Sequence, residues 1–163
     1  MSSSTIDARN CTMDVIFDID GTLLDISDRL KFIESKPRDW KKFKDPALKA
    51  GDKPIKPVID ILLALHAAGH RIIIASARTV SEKDGTLDSL RRYIPFIEDV
   101  PLYLRSDGDY RKDTVVKSAM LDRMLDAGYK PVVVFDDRPS VIEMWHDRGL
   151  KVVDVRDPSR GNF

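Results

Sequence analysis

Five short runs of apolar residues recur along the chain and constrain its fold more than any other feature. They occupy residues 13–17, 71–75, 101–104, 131–135 and 150–155. The second contains three consecutive isoleucines and the fourth three consecutive valines. Runs of this length rich in β-branched residues are typical of strands buried on both faces, as in a parallel sheet.

Helical patterns lie between these runs. Residues 57–69 begin with a proline and end with a glycine, and residues 116–128 and 141–149 each carry apolar residues at helical spacing before a terminal glycine. The order predicts an α/β fold in which five strands alternate with four helices. Right-handed crossovers would then give an open parallel five-stranded sheet with helices on both faces.

Length and composition predict one domain. The chain has 163 residues, with 27 basic and 27 acidic side chains. We expect a flexible N-terminal tail over residues 1–11 and a single domain over 12–163. Cys11 is the sole cysteine, which excludes an internal disulfide and favours a cytoplasmic setting. Charged and histidine residues interrupt the longest apolar stretch, so no membrane association is expected.

Residues 29–56 depart from this charge balance, with ten basic side chains against four acidic ones. We interpret residues 24–56 as a basic flap near the site that the acidic residues described below would form. Its lysines and arginines could follow a phosphodiester backbone while Trp40 or Phe43 stacks on a base. The alternative is that the aromatic residues are core contacts and the lysines a solvated face.

Acidic and hydroxyl residues follow three of the predicted strands. Asp18 and Asp20 follow the first, Ser76 the second and Asp136-Asp137 the fourth. In open α/β sheets ligands bind beyond the carboxyl ends of the strands. Four carboxylates there require a cation, and an all-oxygen shell favours Mg²⁺. The alternative is that each aspartate caps a helix or ends a loop.

These residues resemble the four motifs of the haloacid dehalogenase (HAD) phosphatases. The segment Asp18-Ile19-Asp20-Gly21-Thr22-Leu23 resembles the first motif, Ser76 the second, Lys117 the third and Asp136-Asp137 the fourth. The resemblance implies a Rossmann-like HAD fold and hydrolysis of phosphate monoesters through an aspartyl-phosphate.

It also implies a role for each residue. Asp18 would be the nucleophile, Asp20 the general acid and base with a raised pKa, and Ser76 and Lys117 ligands of the phosphate. The Mg²⁺ site would comprise Asp18, Asp20 through its backbone carbonyl, and Asp136 or Asp137. For Lys117, a surface ion pair with Asp113, four residues earlier, is the competing interpretation.

A closer resemblance covers residues 108–117, 136–138, 141–145 and 161–163. These stretches are similar to the phosphatase domain of phage-type polynucleotide kinase-phosphatases, which removes 3′-phosphates from nucleic acid ends. The similarity adds Arg29, Arg78 and Asp113 as substrate-binding residues. A surface ion pair is the alternative for Arg78, and Ala77 replaces the usual glycine of the second motif. No P-loop sequence occurs in these residues, so we expect a phosphatase without the kinase half.

Short connections between the motifs predict a minimal cap. Fifty-five residues separate Asp20 from Ser76, and 40 separate Ser76 from Lys117. An open site favours a bulky or polymeric substrate over an enclosed small one. With the closer resemblance, the expected partners are phosphorylated nucleic acid ends or nucleotides, with no obligate protein partner. The alternatives are a nucleotidase acting on nucleoside monophosphates, a phosphotransferase, or a phosphate-binding module without catalysis.

Overall fold

The computed structural model describes residues 11–159. The predicted tail therefore lies outside the described residues except for Cys11, which is exposed. Residues 161–163, part of the closer resemblance, also lie outside them. Within the described range, no helix has the length and apolar character needed to cross a bilayer.

Seven strands and seven α-helices follow one another along the described chain. Their order is β1 (Asp14–Phe17), β2 (Leu24–Asp25), α1 (Ser27–Glu34), α2 (Trp40–Phe43), α3 (Pro46–Lys49), β3 (Lys53–Pro54), α4 (Lys56–Ala67), β4 (Arg71–Thr79), α5 (Lys83–Arg91), β5 (Leu102–Arg105), α6 (Asp113–Asp126), β6 (Pro131–Asp136), α7 (Pro139–Asp147) and β7 (Lys151–Asp154). Five strands form one sheet in the order β5-β4-β1-β6-β7, and every pair in it is parallel. The predicted fold class is confirmed.

Side chains of β1 alternate between two apolar layers, as expected for a strand buried on both faces. Val15 and Phe17 pack in one layer with residues of α4 and α5, and Phe17 stacks on Phe135 at 4.4 Å between ring centroids. Ile16 packs in the other layer with residues of α6 and α7. Trp145 of α7 is fully buried there, which confirms its predicted place in the core.

Residues 24–56 form a small cap beside the carboxyl end of the sheet. β2 and β3 pair antiparallel at its base, and α1, α2 and α3 lie between them. Asp39 and Asp45 cap α2 and α3, since their carboxylates accept backbone N–H groups at 2.9 and 2.8 Å. The predicted minimal cap thus has its own secondary structure.

Candidate active site

The candidate site is an open cavity of about 970 Å³ at the carboxyl ends of β1, β4 and β6. The cap supplies one wall, and the loop between β5 and α6 supplies another. The predicted site residues that line it are Asp18, Asp20, Ser76, Arg78, Asp113, Lys117, Asp136 and Asp137. Arg29 lies behind the lining residues, and its Nη2 contacts Asp20 Oδ1 at 3.3 Å.

Lys117 lies at the floor of the cavity and is buried between two carboxylates. Its Nζ donates to Asp18 Oδ1 at 2.7 Å and to Asp136 Oδ2 at 2.8 Å. Asp113 instead accepts from Arg105 and Arg138. The interpretation of Lys117 and Asp113 as a surface pair is therefore wrong. Helix α6 starts at Asp113, three residues before the predicted pattern at 116–128, so Lys117 belongs to its second turn.

Asp136 is held by four donors, two on each oxygen. The backbone N–H groups of Asp137 and Arg138 donate to Oδ1 at 2.9 and 3.2 Å. Trp145 Nε1 donates to Oδ2 at 3.1 Å, beside the Lys117 ammonium. The core tryptophan thus also orients a site carboxylate, a role that its helical pattern did not indicate.

Three carboxylates converge beside Lys117. Asp18, Asp136 and Asp137 each offer one oxygen within 4.8 Å of the others. Burial raises the pKa of Asp18 well above its usual range, and the neighbouring charges of Asp136 and Asp137 add to the rise. Burial and the Asp136 charge raise the pKa of Asp137 to about 6. The cluster therefore carries more negative charge than Lys117 alone balances.

Asp20 lies across the cavity and contacts two arginines instead of this cluster. Arg78 donates to it from Nε at 3.1 Å and from Nη2 at 2.6 Å, and Arg29 from Nη2 at 3.3 Å. Burial opposes the charge of Asp20, but the two guanidinium groups outweigh it and hold its pKa below the usual value. The expected raised pKa is wrong for the protein without substrate, because the sequence did not reveal these two partners.

Both arginines are buried and share a further carboxylate, Asp52. Arg29 donates to it at 2.8 and 2.7 Å, and Arg78 at 3.1 Å. The alternative interpretation of Arg78 as a surface ion pair is therefore wrong. Sequence reasoning gave Asp52 no role, because no motif or spacing links it to positions 23 and 26 residues away.

Ser76 and Asp113 also line the cavity, each with its own partners. Ser76 is buried within β4, not beyond its end as predicted, since β4 extends to Thr79. Its Oγ accepts the backbone N–H of Arg78 at 3.2 Å. Asp113 joins Arg105 of β5 to Arg138, which directly follows the acidic pair. Arg105 had no predicted role.

Residues 29–56 contain both buried and exposed basic side chains. Arg29 and Lys49 are buried, and Lys49 pairs with Glu82 at the cavity wall. The other eight basic residues are exposed, namely Lys31, Lys36, Arg38, Lys41, Lys42, Lys44, Lys53 and Lys56. Trp40 is 49% exposed and lines the cavity, so it is not a core residue. Half-buried Phe43 contacts it edge to face at 6.0 Å.

The parallel sheet, with an Asp-x-Asp pair after β1 and a buried lysine that contacts an acidic pair at the end of β6, is typical of HAD-type phosphatases. The chain belongs to the family described as the phosphatase domain of the polynucleotide kinase PNKP, whose family model matches residues 12–163. The matched family is thus one of phosphatase domains.

Solved structures share this fold. A chain of a Pnkp1/Rnl/Hen1 complex is 25% identical with a TM-score of 0.71, and the match covers 91% of this chain and 47% of that one. A class C acid phosphatase from Bacillus anthracis, solved with tungstate bound, is 18% identical with a TM-score of 0.64. That match covers 94% of this chain and 71% of the other, and it shows likeness of fold alone.

A curated relative is similar over part of the chain. It is a protein of the Autographa californica nuclear polyhedrosis virus assigned as a bifunctional polynucleotide kinase/RNA ligase, and it is 30% identical over 82 residues. The match covers 50% of this chain and 12% of the viral protein. The chain thus spans less than half of the length of both this relative and the matched chain of the Pnkp1 complex.

Proposed function

We propose that this chain is a Mg²⁺-dependent phosphatase that removes 3′-phosphates from nucleic acid ends, with Asp18 as covalent nucleophile. The main support for this proposal is the contact between Lys117 and Asp18, which is buried at the floor of a wide cavity. Lys117 fixes Oδ1 at 2.7 Å, whereas Oδ2 has only a long 3.4 Å contact to the Thr22 hydroxyl. Oδ2 is therefore the oxygen available to attack phosphorus.

The reaction would proceed in two displacements at phosphorus. In the first, Asp18 Oδ2 bonds to phosphorus, the bond from phosphorus to the 3′ oxygen breaks, and Asp20 gives its proton to that oxygen. In the second, a water molecule attacks the aspartyl-phosphate and Asp20 takes the proton of the water. The bond between phosphorus and Asp18 then breaks, which releases inorganic phosphate and regenerates the Asp18 carboxylate and the protonated Asp20.

Asp20 must carry a proton in the first displacement, although its pKa is low in the free protein. A substrate phosphate in the cavity would compete with Asp20 for the guanidinium groups of Arg78 and Arg29. It would also place negative charge beside the carboxylate. Both effects raise the pKa of Asp20, so binding of substrate would itself favour the protonated form that acts as general acid.

Cationic and hydroxyl donors would hold the transferred phosphoryl group. Lys117 and Arg78 would neutralise charge on its oxygens, and the Ser76 hydroxyl would donate to one of them. Arg29 would support this arrangement through Asp20, and Asp113 by holding Arg105 and Arg138 at the cavity wall.

The carboxylate cluster fits a divalent cation, since three acids and one lysine leave uncompensated negative charge. We assign Asp18, Asp137 and the backbone carbonyl of Asp20 as its ligands. Asp136 already accepts two hydrogen bonds on each oxygen and would orient Lys117 instead. When bound, Mg²⁺ would offset negative charge on both the nucleophile and the phosphate.

Substitution of Gly21 is expected to remove this metal site. Gly21 has φ +86°, and a Cβ there would lie 2.0 Å from Asp137 Oδ2. Gly21→Ala must therefore displace the Asp137 carboxylate, and we expect loss of Mg²⁺ binding by calorimetry together with roughly a 10²-fold loss of turnover.

Gly69→Ala is the matched control for Gly21→Ala. Gly69 has a similar φ of +90°, with nothing within 4 Å of its added Cβ. Both variants should lose about 1–2 kcal/mol of stability to the left-handed backbone, but Gly69→Ala should bind Mg²⁺ normally. Normal Mg²⁺ binding by Gly21→Ala would contradict the assignment of Asp137.

Stabilisation by Mg²⁺ is expected to depend on pH. The pKa of Asp137 is raised from 3.8 to about 6, so the unfolded chain binds fewer protons than the folded one between these values. The free energy of unfolding of the metal-free protein therefore falls as pH rises toward 6. Above pH 6, an ion that binds the Asp137 carboxylate restores this stability. At 100 times its Kd, Mg²⁺ adds about 2.7 kcal/mol, or roughly 5–10 °C in Tm.

Thermal unfolding with Mg²⁺ or EDTA, followed from pH 4.5 to 8, measures this effect. The Mg²⁺-induced rise in Tm should be near zero at the acidic end and complete at pH 8. A rise that is equal at both ends would contradict a site built on Asp137.

The cap supplies features suited to a nucleic acid strand. Its eight exposed basic side chains lie on the element that walls the cavity, and Trp40 borders the cavity with half of its surface exposed. Lysines and arginines would follow the phosphodiester backbone while Trp40 stacks on a base near the 3′ end. The cavity is open, so the strand need not be enclosed.

Phosphate release from four substrates tests the proposed function. They are a 3′-phosphorylated oligonucleotide, its 5′-phosphorylated counterpart, and the 3′- and 5′-mononucleotides, each with Mg²⁺ and with EDTA. We expect the 3′-phosphorylated oligonucleotide to have the highest kcat/KM, to require Mg²⁺, and to show a KM that rises with salt. Equal or faster turnover of the mononucleotides would instead assign a nucleotidase.

A further inference from the structure

Asp52 is a buried carboxylate of the cap that has no place in the four motifs. It follows α3 and precedes β3, and its side chain is 2% exposed. Both of its oxygens are engaged by arginines. Arg29 binds it in parallel, Nε to Oδ1 at 2.8 Å and Nη2 to Oδ2 at 2.7 Å, and Arg78 Nη2 reaches Oδ2 at 3.1 Å.

The same two guanidinium groups hold Asp20. Arg78 binds Asp20 through Nε and Nη2, and Arg29 through Nη2 alone. Two buried cations are thus balanced by two carboxylates, one facing the cavity and one behind the arginines. Because Asp20 is 26% exposed and Asp52 only 2%, the bond to Asp52 is the one that a bound substrate cannot reach.

The backbone of the cap fixes Asp52 relative to the Asp20 turn. The Asp52 N–H donates to Lys49 O at 3.1 Å, and the next residue, Lys53, pairs with Asp25 across β2 and β3. The chain between Asp20 and β2 is itself tight, since Gly21 N donates to Leu24 O at 2.8 Å. Asp52 and Asp20 are therefore held on one compact unit.

We propose that Asp52 is a positioning residue that acts through Arg29 and Arg78 to keep the Asp20 carboxylate where it meets the leaving oxygen. The proposal rests on the proposed function, in which Asp20 is the general acid. Without Asp52, two buried cations would share one carboxylate, and both would draw Asp20 away from the leaving group. Asp52 touches neither the phosphate nor the reacting atoms.

A comparison of leaving groups separates this role from a structural one. A 3′-nucleotide oxygen is a poor leaving group that needs the proton of Asp20, whereas p-nitrophenolate departs without one. For Asp52→Asn we expect kcat on the 3′-phosphorylated oligonucleotide to fall by about 10²-fold, as a misplaced catalytic group implies. On p-nitrophenyl phosphate its kcat should fall by less than about threefold, since the nucleophile and metal site are unchanged.

Asp14→Asn is the matched control. Asp14 is also buried and binds Arg71 in parallel at 2.7 and 2.6 Å, but at the opposite end of β1 from the cavity. The Asp14→Asn variant should lose stability, as Asp52→Asn does, but it should keep the wild-type kcat on both substrates. Should Asp52→Asn fail to fold, Asp52→Ala with added formate is the second measurement, and formate should restore turnover of the oligonucleotide selectively.

The outcomes distinguish this inference from the proposed function. An Asp52→Asn variant with wild-type kcat on the oligonucleotide, or with equal losses on both substrates, would overturn the role of Asp52 alone. A wild-type protein that releases no phosphate from the oligonucleotide would overturn the proposed function and this inference with it. Asp52→Ala that formate does not rescue would also count against the positioning role.

Discussion

Asp18→Asn is expected to abolish turnover while leaving the fold intact. Asp18 is the carboxylate that Lys117 holds at the cavity floor, and an amide in its place cannot form the aspartyl-phosphate. Loss of a nucleophile lowers kcat by roughly 10⁴–10⁶-fold. Phosphate release from the 3′-phosphorylated oligonucleotide, with Asp14→Asn as the active control, measures this effect.

Stability measurements make the Asp18→Asn result interpretable. Burial and two neighbouring carboxylates disfavour the charge on Asp18, so its removal should leave the metal-free protein at least as stable as wild type. The rise in Tm with Mg²⁺ should also be lost. Residual turnover above about one hundredth of wild type in a folded variant would contradict covalent catalysis by Asp18.

Lys117→Met is expected to have the second largest effect, on both activity and stability. Lys117 is the ammonium group that contacts Asp18 and Asp136, and removal of a comparable donor costs about 2.7–4 kcal/mol of transition-state stabilisation, or 10²–10³-fold in kcat. It also leaves the buried carboxylates without their cation, at a further cost of about 3–5 kcal/mol in the free energy of unfolding.

Arg91→Met provides the control for this substitution. Arg91 forms exposed pairs with Asp88 and Glu98 at the end of α5, outside the cap and the cavity, so its loss should change stability by less than about 1 kcal/mol and should not change kcat. Urea unfolding and steady-state kinetics of both variants supply the measurements. A Lys117→Met protein with near-wild-type kcat would remove Lys117 from the mechanism.

Local patterns in the sequence were sufficient to predict the sheet. Each of the five apolar runs became a strand, because a strand buried on both faces must be apolar along its length. The parallel topology then placed Asp18, Ser76 and Asp136 at one edge of the sheet. The order of the motifs similarly indicated Lys117, whose long side chain reaches Asp18 across 99 positions of sequence.

Such patterns could not predict the network that Arg29 and Arg78 form with Asp20 and Asp52. Arg78 meets Asp20 across 58 positions and Asp52 across 26, and no periodicity encodes which charged side chains pair at that range. For this reason Asp52 had no predicted role, and the direction of the Asp20 pKa shift was wrong. Likewise, the net charge of residues 29–56 did not reveal that Arg29 and Lys49 are buried while Trp40 is exposed.

Chemical identification of the phosphorylated residue tests the central claim most directly. The protein is mixed with the 3′-phosphorylated oligonucleotide and Mg²⁺, quenched in acid within the first turnover, and its peptides are analysed by mass spectrometry. We predict a phosphate on Asp18 that requires both substrate and Mg²⁺ and is missing from Asp18→Asn. Rapid phosphate release with no modification at Asp18, or with modification of another residue, would contradict the account.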